Sequence, residues 1–196
     1  MSRLIYVVRH GETDWNAEER LQGQRDIPLN ETGRAQATAN GEALARLIGR
    51  AEGFDFVASP LGRTRETMER LRTAMHLDPA GYRTDPILKE VNYGSWEGHT
   101  YEDLRGEGRA SEIERRENDK WLFRPPGDTA ESYADLSDRI ARWLATVSRP
   151  TVCVAHGGVI RTLFHIVAGE PGGEAVHRPT PQDRLLRIEG NKIEWL

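Results

Sequence analysis

Short apolar runs and helical periods alternate along the chain. Leu4-Ile-Tyr-Val-Val8 is a continuous apolar run rich in β-branched and aromatic residues, the composition of a strand buried on both faces of a parallel sheet. Thr151-Val-Cys-Val-Ala155 has the same character, and Phe54-Asp-Phe-Val-Ala58 is a weaker relative. Between these runs the period becomes helical. Tyr133, Leu136, Ile140, Trp143, Leu144 and Val147 recur at offsets of three, four and seven, which predicts one face of a long helix. Leu61, Met68, Leu71 and Met75 predict a second helix, with Pro60 at its start. A third begins after Asn30, an N-cap candidate, and uses Ala35, Leu44, Leu47 and Ile48. Strands alternating with helices predict a three-layer α/β/α sandwich around a mainly parallel sheet. The charged segment Thr100–Arg124, closed by Pro125-Pro126-Gly127, reads as a helical excursion from that sandwich. With no repeat, low-complexity tract or linker, residues 1–196 read as a single domain carrying a partial lid at about 100–132.

Composition narrows the function classes. Hydrophobic residues make up 37% and charged residues 30% of the 196, as in an ordinary soluble domain. The net charge of −4 argues against general nucleic-acid binding, which needs a basic face. A local arginine cluster can still hold an anionic substrate. The single cysteine, Cys153, cannot form an internal disulfide, and within an apolar run it reads as a core residue rather than a catalytic thiol. No apolar stretch approaches the ~18 residues of a membrane span. Met1-Ser-Arg-Leu-Ile-Tyr-Val-Val8 has a strand's composition and lacks a signal peptide's apolar region and cleavage site, so a cytoplasmic protein is expected.

Four places along this framework carry candidate chemistry. Arg9-His10-Gly11-Glu12-Thr13 follows the first strand, and parallel sheets gather ligand sites at the carboxyl ends of their strands. Gly11 offers a sharp turn and a close approach for substrate, and Arg9 sets a permanent bidentate cation beside the imidazole. His156-Gly157-Gly158 follows Thr151–Ala155 in the same way. One strand-end histidine is commonly structural; two, each followed by glycine, are hard to explain by packing. Neither sits in a metal-ligand spacing, so no metal or cofactor is expected. His76, His99, His165 and His177 read as structural or surface residues. Ser59-Pro-Leu-Gly-Arg63-Thr-Arg65 combines a helix N-terminus with fixed guanidinium donors, although each arginine alone could be a solvated helix face. Glu90 and Glu97 lie among Tyr93, Gly94, Trp96 and Gly98. A carboxyl held partly dry beside aromatics suits general acid work; the alternative places both glutamates on the surface, with Trp96 capping the core.

Together these motifs resemble the histidine phosphatase superfamily, the phosphoglycerate mutase-like clan, over nearly the whole chain and in the family's order. Arg9-His10-Gly11-Glu12-Thr13 resembles its phospho-acceptor motif. Asn16 and Leu21-Gln22-Gly23 resemble the loop that wraps the phosphoryl group. Arg63 matches a second phosphate-binding arginine, Glu90 the proton donor and His156 the second histidine. The resemblance implies a phosphoglycerate mutase-like fold and a phosphohistidine formed on neutral His10. It further implies that Arg9, Arg63 and a protonated His156 hold the phosphoryl oxygens, with Asn16, Gln22 and Gly23 binding phosphate and Glu90 protonating the leaving group.

The same chemistry serves two enzyme classes. Gly157-Gly158 resembles the phosphatase branch, whereas mutases tend to have Asn in place of the second glycine. Pro125–Ser132 resembles, in loosened form, a Pro-Gly-Gly-Glu-Ser stretch of phosphatases. Arg115-Arg116 falls roughly where mutases keep paired arginines, but within a charged run it reads better as a solvated helix face. The expected activity is therefore a histidine acid-type phosphatase, a metal-independent hydrolase of small phosphate esters. A cofactor-dependent phosphoglycerate mutase is the alternative. A non-catalytic member of the fold should have lost His10, Arg63, Glu90 or His156, and all four are present. The expected partner is a small-molecule phosphate ester, with no nucleic acid and no membrane; monomer and homodimer both stay open. Tyr93, Trp96 and Trp121 are candidates for an apolar wall, although a core role suits each at least as well.

Overall fold

A computed structural model describes residues 4–196, so the first three residues of the Met1–Val8 run lie outside the described residues. Its centre is a six-stranded sheet in the order β3-β2-β4-β1-β5-β6. The strands are β1 (Leu4–Arg9), β2 (Asp55–Ala58), β3 (Arg83–Thr84), β4 (Thr151–Ala155), β5 (Leu185–Glu189) and β6 (Lys192–Trp195). The four strands β3, β2, β4 and β1 run parallel, and β5 and β6 add an antiparallel edge. β1 and β4 sit in the middle, which is why their sequences are continuous apolar runs rather than alternating ones.

Pleating sends alternate residues of β1 to opposite faces. Ile5 and Val7 pack with Leu136, Ile140, Trp143, Ile160 and Leu163, on the side of helices α6 (Tyr133–Thr146) and α7 (Gly157–Ala168). Tyr6 and Val8 pack with Leu44, Met68, Leu71 and Met75, on the side of α2 (Glu31–Ile48) and α3 (Gly62–Ala74). The three-layer α/β/α reading therefore holds, as does the core placement of Cys153, which is fully buried. Two details differ. Ala35 and Leu47 of α2 face solvent, Leu47 being 49% exposed, because α2 meets the core through Ala37 and Leu44 instead. α3 starts at Gly62 with Leu61 as N-cap, so Pro60 lies in the turn before it.

The charged segment folds into α4 (Tyr101–Gly106) and α5 (Ala110–Asn118), after the four-residue α1 (Asp14–Ala17) near the start of the chain. A small separate core of Trp96, Leu104 and Ile113 holds the excursion together. Trp96 is completely buried there, and its indole N–H donates to Glu112 at 3.0 Å, so it does not wall the site. Trp121 is likewise elsewhere, its ring 4.7 Å from that of His165. A last short helix, α8 (Gly172–Ala175), precedes β5. Among the described residues no helix is long and apolar enough to cross a membrane.

Candidate active site

The sheet register places the chemistry. Arg9 pairs with Ala155 across β1 and β4, and the His10 N–H donates to the Ala155 carbonyl at 3.0 Å. His10 and His156 thus leave neighbouring strands at the same level, and their rings lie 5.2 Å apart in a tilted, edge-on contact. The Ser59 N–H donates to Val154, so the end of β2 delivers Ser59 beside them. Gly11 is needed for a different reason from the one expected. Its φ is ordinary, and a Cβ there would collide with the Gly33 backbone where α2 begins. Gly11 lets the loop press against that helix, while its N–H donates to Thr67 Oγ1 on α3.

His10 is 3% exposed, and its Nδ1 lies 2.8 Å from the Gly11 carbonyl oxygen. A carbonyl only accepts, so Nδ1 carries the proton and the lone pair sits on Nε2. Burial, then the charges of Arg63 and Arg9, hold the imidazole well below the ordinary histidine pKa. It is neutral, with a free lone pair on Nε2.

A cavity of about 130 Å³ opens beside it, lined among others by Arg9, Asn16, Gln22, Gly23, Arg63 and Glu90. Arg63 is fully buried; its Nη1 donates to the Arg25 carbonyl at 2.6 Å and its Nη2 to that of Gly23 at 2.8 Å. Arg9 Nη1 donates to the Thr180 carbonyl at 2.8 Å, and burial, ahead of Arg161, lowers its pKa to about 10, leaving it charged at neutral pH. The buried atoms Arg9 Nε, Arg63 Nε and Gln22 Oε1 have no hydrogen-bond partner. Burying guanidinium groups without carboxylate partners is costly, by several kcal/mol per ion on general grounds. A dianionic ligand would compensate that cost. Gln22 Nε2 donates to Thr13 Oγ1 at 2.6 Å, and Asn16 Oδ1 accepts from Gln182 Nε2 at 3.0 Å, which fixes both side chains at the wall.

Glu90 enters from the irregular segment after β3. Its Oε2 accepts the Gly158 N–H and its Oε1 the Val91 N–H, each at 2.9 Å. Arg139 of α6 clamps this segment from behind, its Nη1 donating to the carbonyls of Ile87 and Lys89, its Nη2 to that of Glu90 and to Glu131, and its Nε to Glu131. Glu97 is also buried rather than superficial, with Oε1 accepting the Gln24 N–H at 2.8 Å.

His156 departs from expectation. It is completely buried and lies behind the cavity wall rather than in it. Its Nδ1 faces Arg63 Nη2 at 3.3 Å and its Nε2 faces Ser59 Oγ at 2.8 Å. A guanidinium only donates, so Nδ1 is the acceptor and Nε2 carries the proton. Burial, then Arg63 and His10, hold the ring well below the ordinary histidine pKa. The expected protonated, phosphate-touching His156 is therefore replaced by a neutral ring that meets the cavity through Arg63. The N-terminus of α3 is also not an open anion site, because the Asp26 carboxylate already accepts from Gly62 N–H.

This order of motifs is matched by a family model. The histidine phosphatase superfamily (branch 1) model covers residues 5–195. The chain belongs to that superfamily. It is 35% identical, over 98% of this chain and 87% of the other, to a protein described as a probable phosphoglycerate mutase, GpmB, of Salmonella paratyphi C. Among solved structures it is similar to a mycobacterial glucosyl-3-phosphoglycerate phosphatase, at 27% identity and a TM-score of 0.76, over 100% of this chain and 97% of that one. It shares its fold with the alpha-ribazole phosphatase of Shigella flexneri, at 24% identity and a TM-score of 0.80, over 97% and 93%.

For this member of the superfamily, several residues around the cavity carry no strong signal in the sequence. Thr180 and Gln182 approach from the far end of the chain, Gln182 Nε2 donating to the His10 carbonyl at 3.1 Å. Their only local signal was a Pro-Thr-Pro-Gln turn. Arg161 and Arg20 also line the cavity, one turn into α7 and beyond α1 respectively. Tyr93 does line it, as the apolar-wall reading expected. Arg115 is exposed, with its guanidinium 5.7 Å from the Phe123 ring; Arg116 is half-buried, 5.0 Å from the Tyr101 ring. Arg65 is exposed on α3.

Proposed function

We propose that the protein is a phosphomonoesterase that transfers the phosphoryl group of a small ester to His10 Nε2 and then to water. The observation that carries this reading is the His10 tautomer: Nδ1 is committed to the Gly11 carbonyl, leaving the Nε2 lone pair in an arginine-lined cavity. In the first step a bond forms between Nε2 and phosphorus while the ester P–O bond breaks, and Glu90 gives its proton to the leaving alkoxide. In the second, Glu90 takes a proton from the attacking water, the N–P bond breaks and His10 regains its lone pair. Arg9 and Arg63, with Asn16, Gln22 and the Gly23 turn, hold the phosphoryl oxygens and stabilise the charge spread over them. His156 acts as a positioning residue, orienting Arg63 through Nδ1 and backing the His10 ring. Residues 100–132 form a partial lid on this site.

Phosphatase is favoured over mutase by Gly158, the residue on which Glu90 rests. The named mutase relative keeps the alternative in view, and a cofactor-dependent mutase would add isomerisation of phosphoglycerates. The test is purified protein in EDTA with p-nitrophenyl phosphate and a panel of phosphate esters, following free phosphate. In parallel, 2-phosphoglycerate is assayed for isomerisation with and without 2,3-bisphosphoglycerate. Phosphate release with little isomerisation is expected. Fast bisphosphate-dependent isomerisation with little free phosphate would make the protein a mutase.

A further inference from the structure

A second cavity, of about 460 Å³, opens at the end of the sheet opposite the two histidines. The loop at 49–54, which leads from α2 into β2, forms one wall, and Phe56, Arg72, Leu77 and Gly81 form the rest. The two cavities share α3. Arg63 in its first turn lines the catalytic cavity, and Arg72 in its last turn lines this one, about 14 Å further along the axis at 1.5 Å per residue.

Arg72 is 7% exposed and makes no ion pair among the described residues. Its Nε donates to the Asp78 carbonyl at 2.7 Å, whereas the Asp78 carboxylate is turned to its own loop and accepts the Ala80 N–H at 3.0 Å. The guanidinium carbon stands 4.4 Å from the centre of the Phe56 ring. On Gly81 an added Cβ would come within 2.4 Å of Nη2. The guanidinium is thus fixed by a ring, a carbonyl and a glycine, while Nη1 and Nη2 make no hydrogen bond among the described residues. A buried charge held without a counter-charge is costly, and an anion in the cavity would offset that cost.

We propose that this cavity is a second ligand site, which takes a small monoanionic carboxylate with an aromatic body. The free Nη edge matches a planar carboxylate in two parallel hydrogen bonds. Phe56, with the half-buried Phe54 and Leu77, offers apolar walls to the body, in a volume typical of small-molecule sites. The exposed Arg50 and Glu52 at the rim carry opposite charges, so one negative charge at Arg72 is what the site lacks. Nothing in this requires the catalytic reading above.

The test is a ¹H–¹⁵N NMR titration of the full chain with benzoate, with acetate as the carboxylate without a ring and benzyl alcohol as the ring without a charge. Benzoate should shift the amides of Gly49, Gly53 and Gly81 and bind about tenfold or more tightly than either control. Arg72→Lys, which keeps the charge and loses the fork, should weaken benzoate about fivefold or more. Ala51→Phe leaves Arg72 in place and fills the cavity from its half-buried wall, so it should abolish these shifts with the circular dichroism spectrum unchanged. It decides the matter if the Arg72 variant does not fold. Benzoate leaving the three glycine amides unmoved overturns the site, as do equal affinities for benzoate and acetate or an unchanged benzoate affinity in Ala51→Phe. Shifts confined to Gly11, Gly23 and Gly157 would place benzoate in the catalytic cavity and equally overturn it.

Discussion

The Glu90 carboxylate lies against the backbone of Gly158: the Gly158 N–H donates to Oε2 at 2.9 Å, and a Cβ at that position would run into Oε1. Leu136 closes the other side, 3.1 Å from where that Cβ would stand. Glycine at 158 is therefore what allows an acid from the β3 side to rest on the first turn of α7.

Gly158→Ala is expected to displace Glu90 while leaving the apolar core intact. A displacement of about an ångström costs on the order of 100-fold in rate for a positioned group. Turnover of alkyl phosphates, whose leaving group needs a proton, should fall about 10- to 100-fold, and that of p-nitrophenyl phosphate much less. Steady-state kinetics on both substrates checks this. Equal losses would mean that Glu90 and Gly158 do not meet in the working enzyme.

His10→Ala should abolish phosphate release with the circular dichroism spectrum unchanged, since no other described nitrogen combines a free lone pair with the cavity. Rapid quenching of the wild type should trap an acid-labile, base-stable phosphoenzyme, the signature of a nitrogen–phosphorus bond. A variant keeping more than a few per cent of activity removes the covalent role. Glu90→Gln should still form the phosphoenzyme from p-nitrophenyl phosphate but release it slowly, about 10²–10⁴-fold below wild type.

Arg139 touches neither the cavity nor a reacting atom, yet it fixes the carbonyls on either side of Glu90's backbone and pairs with Glu131 at 2.8 Å. Both partners are well shielded, with side chains 13% and 22% exposed. Arg139→Met removes the donor to the Ile87 and Lys89 carbonyls and the ion-pair partner of Glu131, so the melting temperature should drop by about 5–15 °C. The role as a positioning residue predicts more: kcat should fall while KM for p-nitrophenyl phosphate moves little, and Arg139→Lys should recover stability before it recovers kcat. A stability loss with unchanged kcat would reduce Arg139 to a structural pair.

How much of this was legible in the sequence follows the range of the interactions. β1 and β4 were readable because burial on both faces leaves an apolar run, and their ends then placed His10 and His156. Leu47 was misread because periodicity reports an apolar stripe without saying how much of it the neighbouring helix covers. His156 shows a different limit. Its residue type and position were legible, but its charge was not, because Arg63 and Ser59 reach it from other strands and helices. Thr180, Gln182 and Arg139 act through backbone carbonyls or single side-chain contacts far along the chain, and such contacts leave no local pattern.

The two neutral histidines also set a pH dependence of stability. Burial, reinforced by Arg63, lowers both folded-state pKa values well below 6.5, the value expected in the unfolded chain. Below pH 6.5 the unfolded state then binds protons that the folded state refuses. The histidines' contribution to stability is full above pH 6.5 and is lost as pH falls toward the folded-state pKa values, at up to about 1.4 kcal/mol per pH unit for each histidine. Carboxylates titrate mainly below this window, which leaves pH 6.5 to 5 as the range in which the histidines dominate. Urea unfolding at half-unit steps through that range should give a steep slope for wild type and roughly half of it for His156→Gln, whatever that substitution costs at pH 7.5. An unchanged slope would mean that His156 is already protonated in the folded protein. The same refusal of protons keeps the His10 lone pair available in mildly acid solution, so any loss of kcat/KM between pH 6.5 and 5 should track the substrate's phosphate rather than the nucleophile.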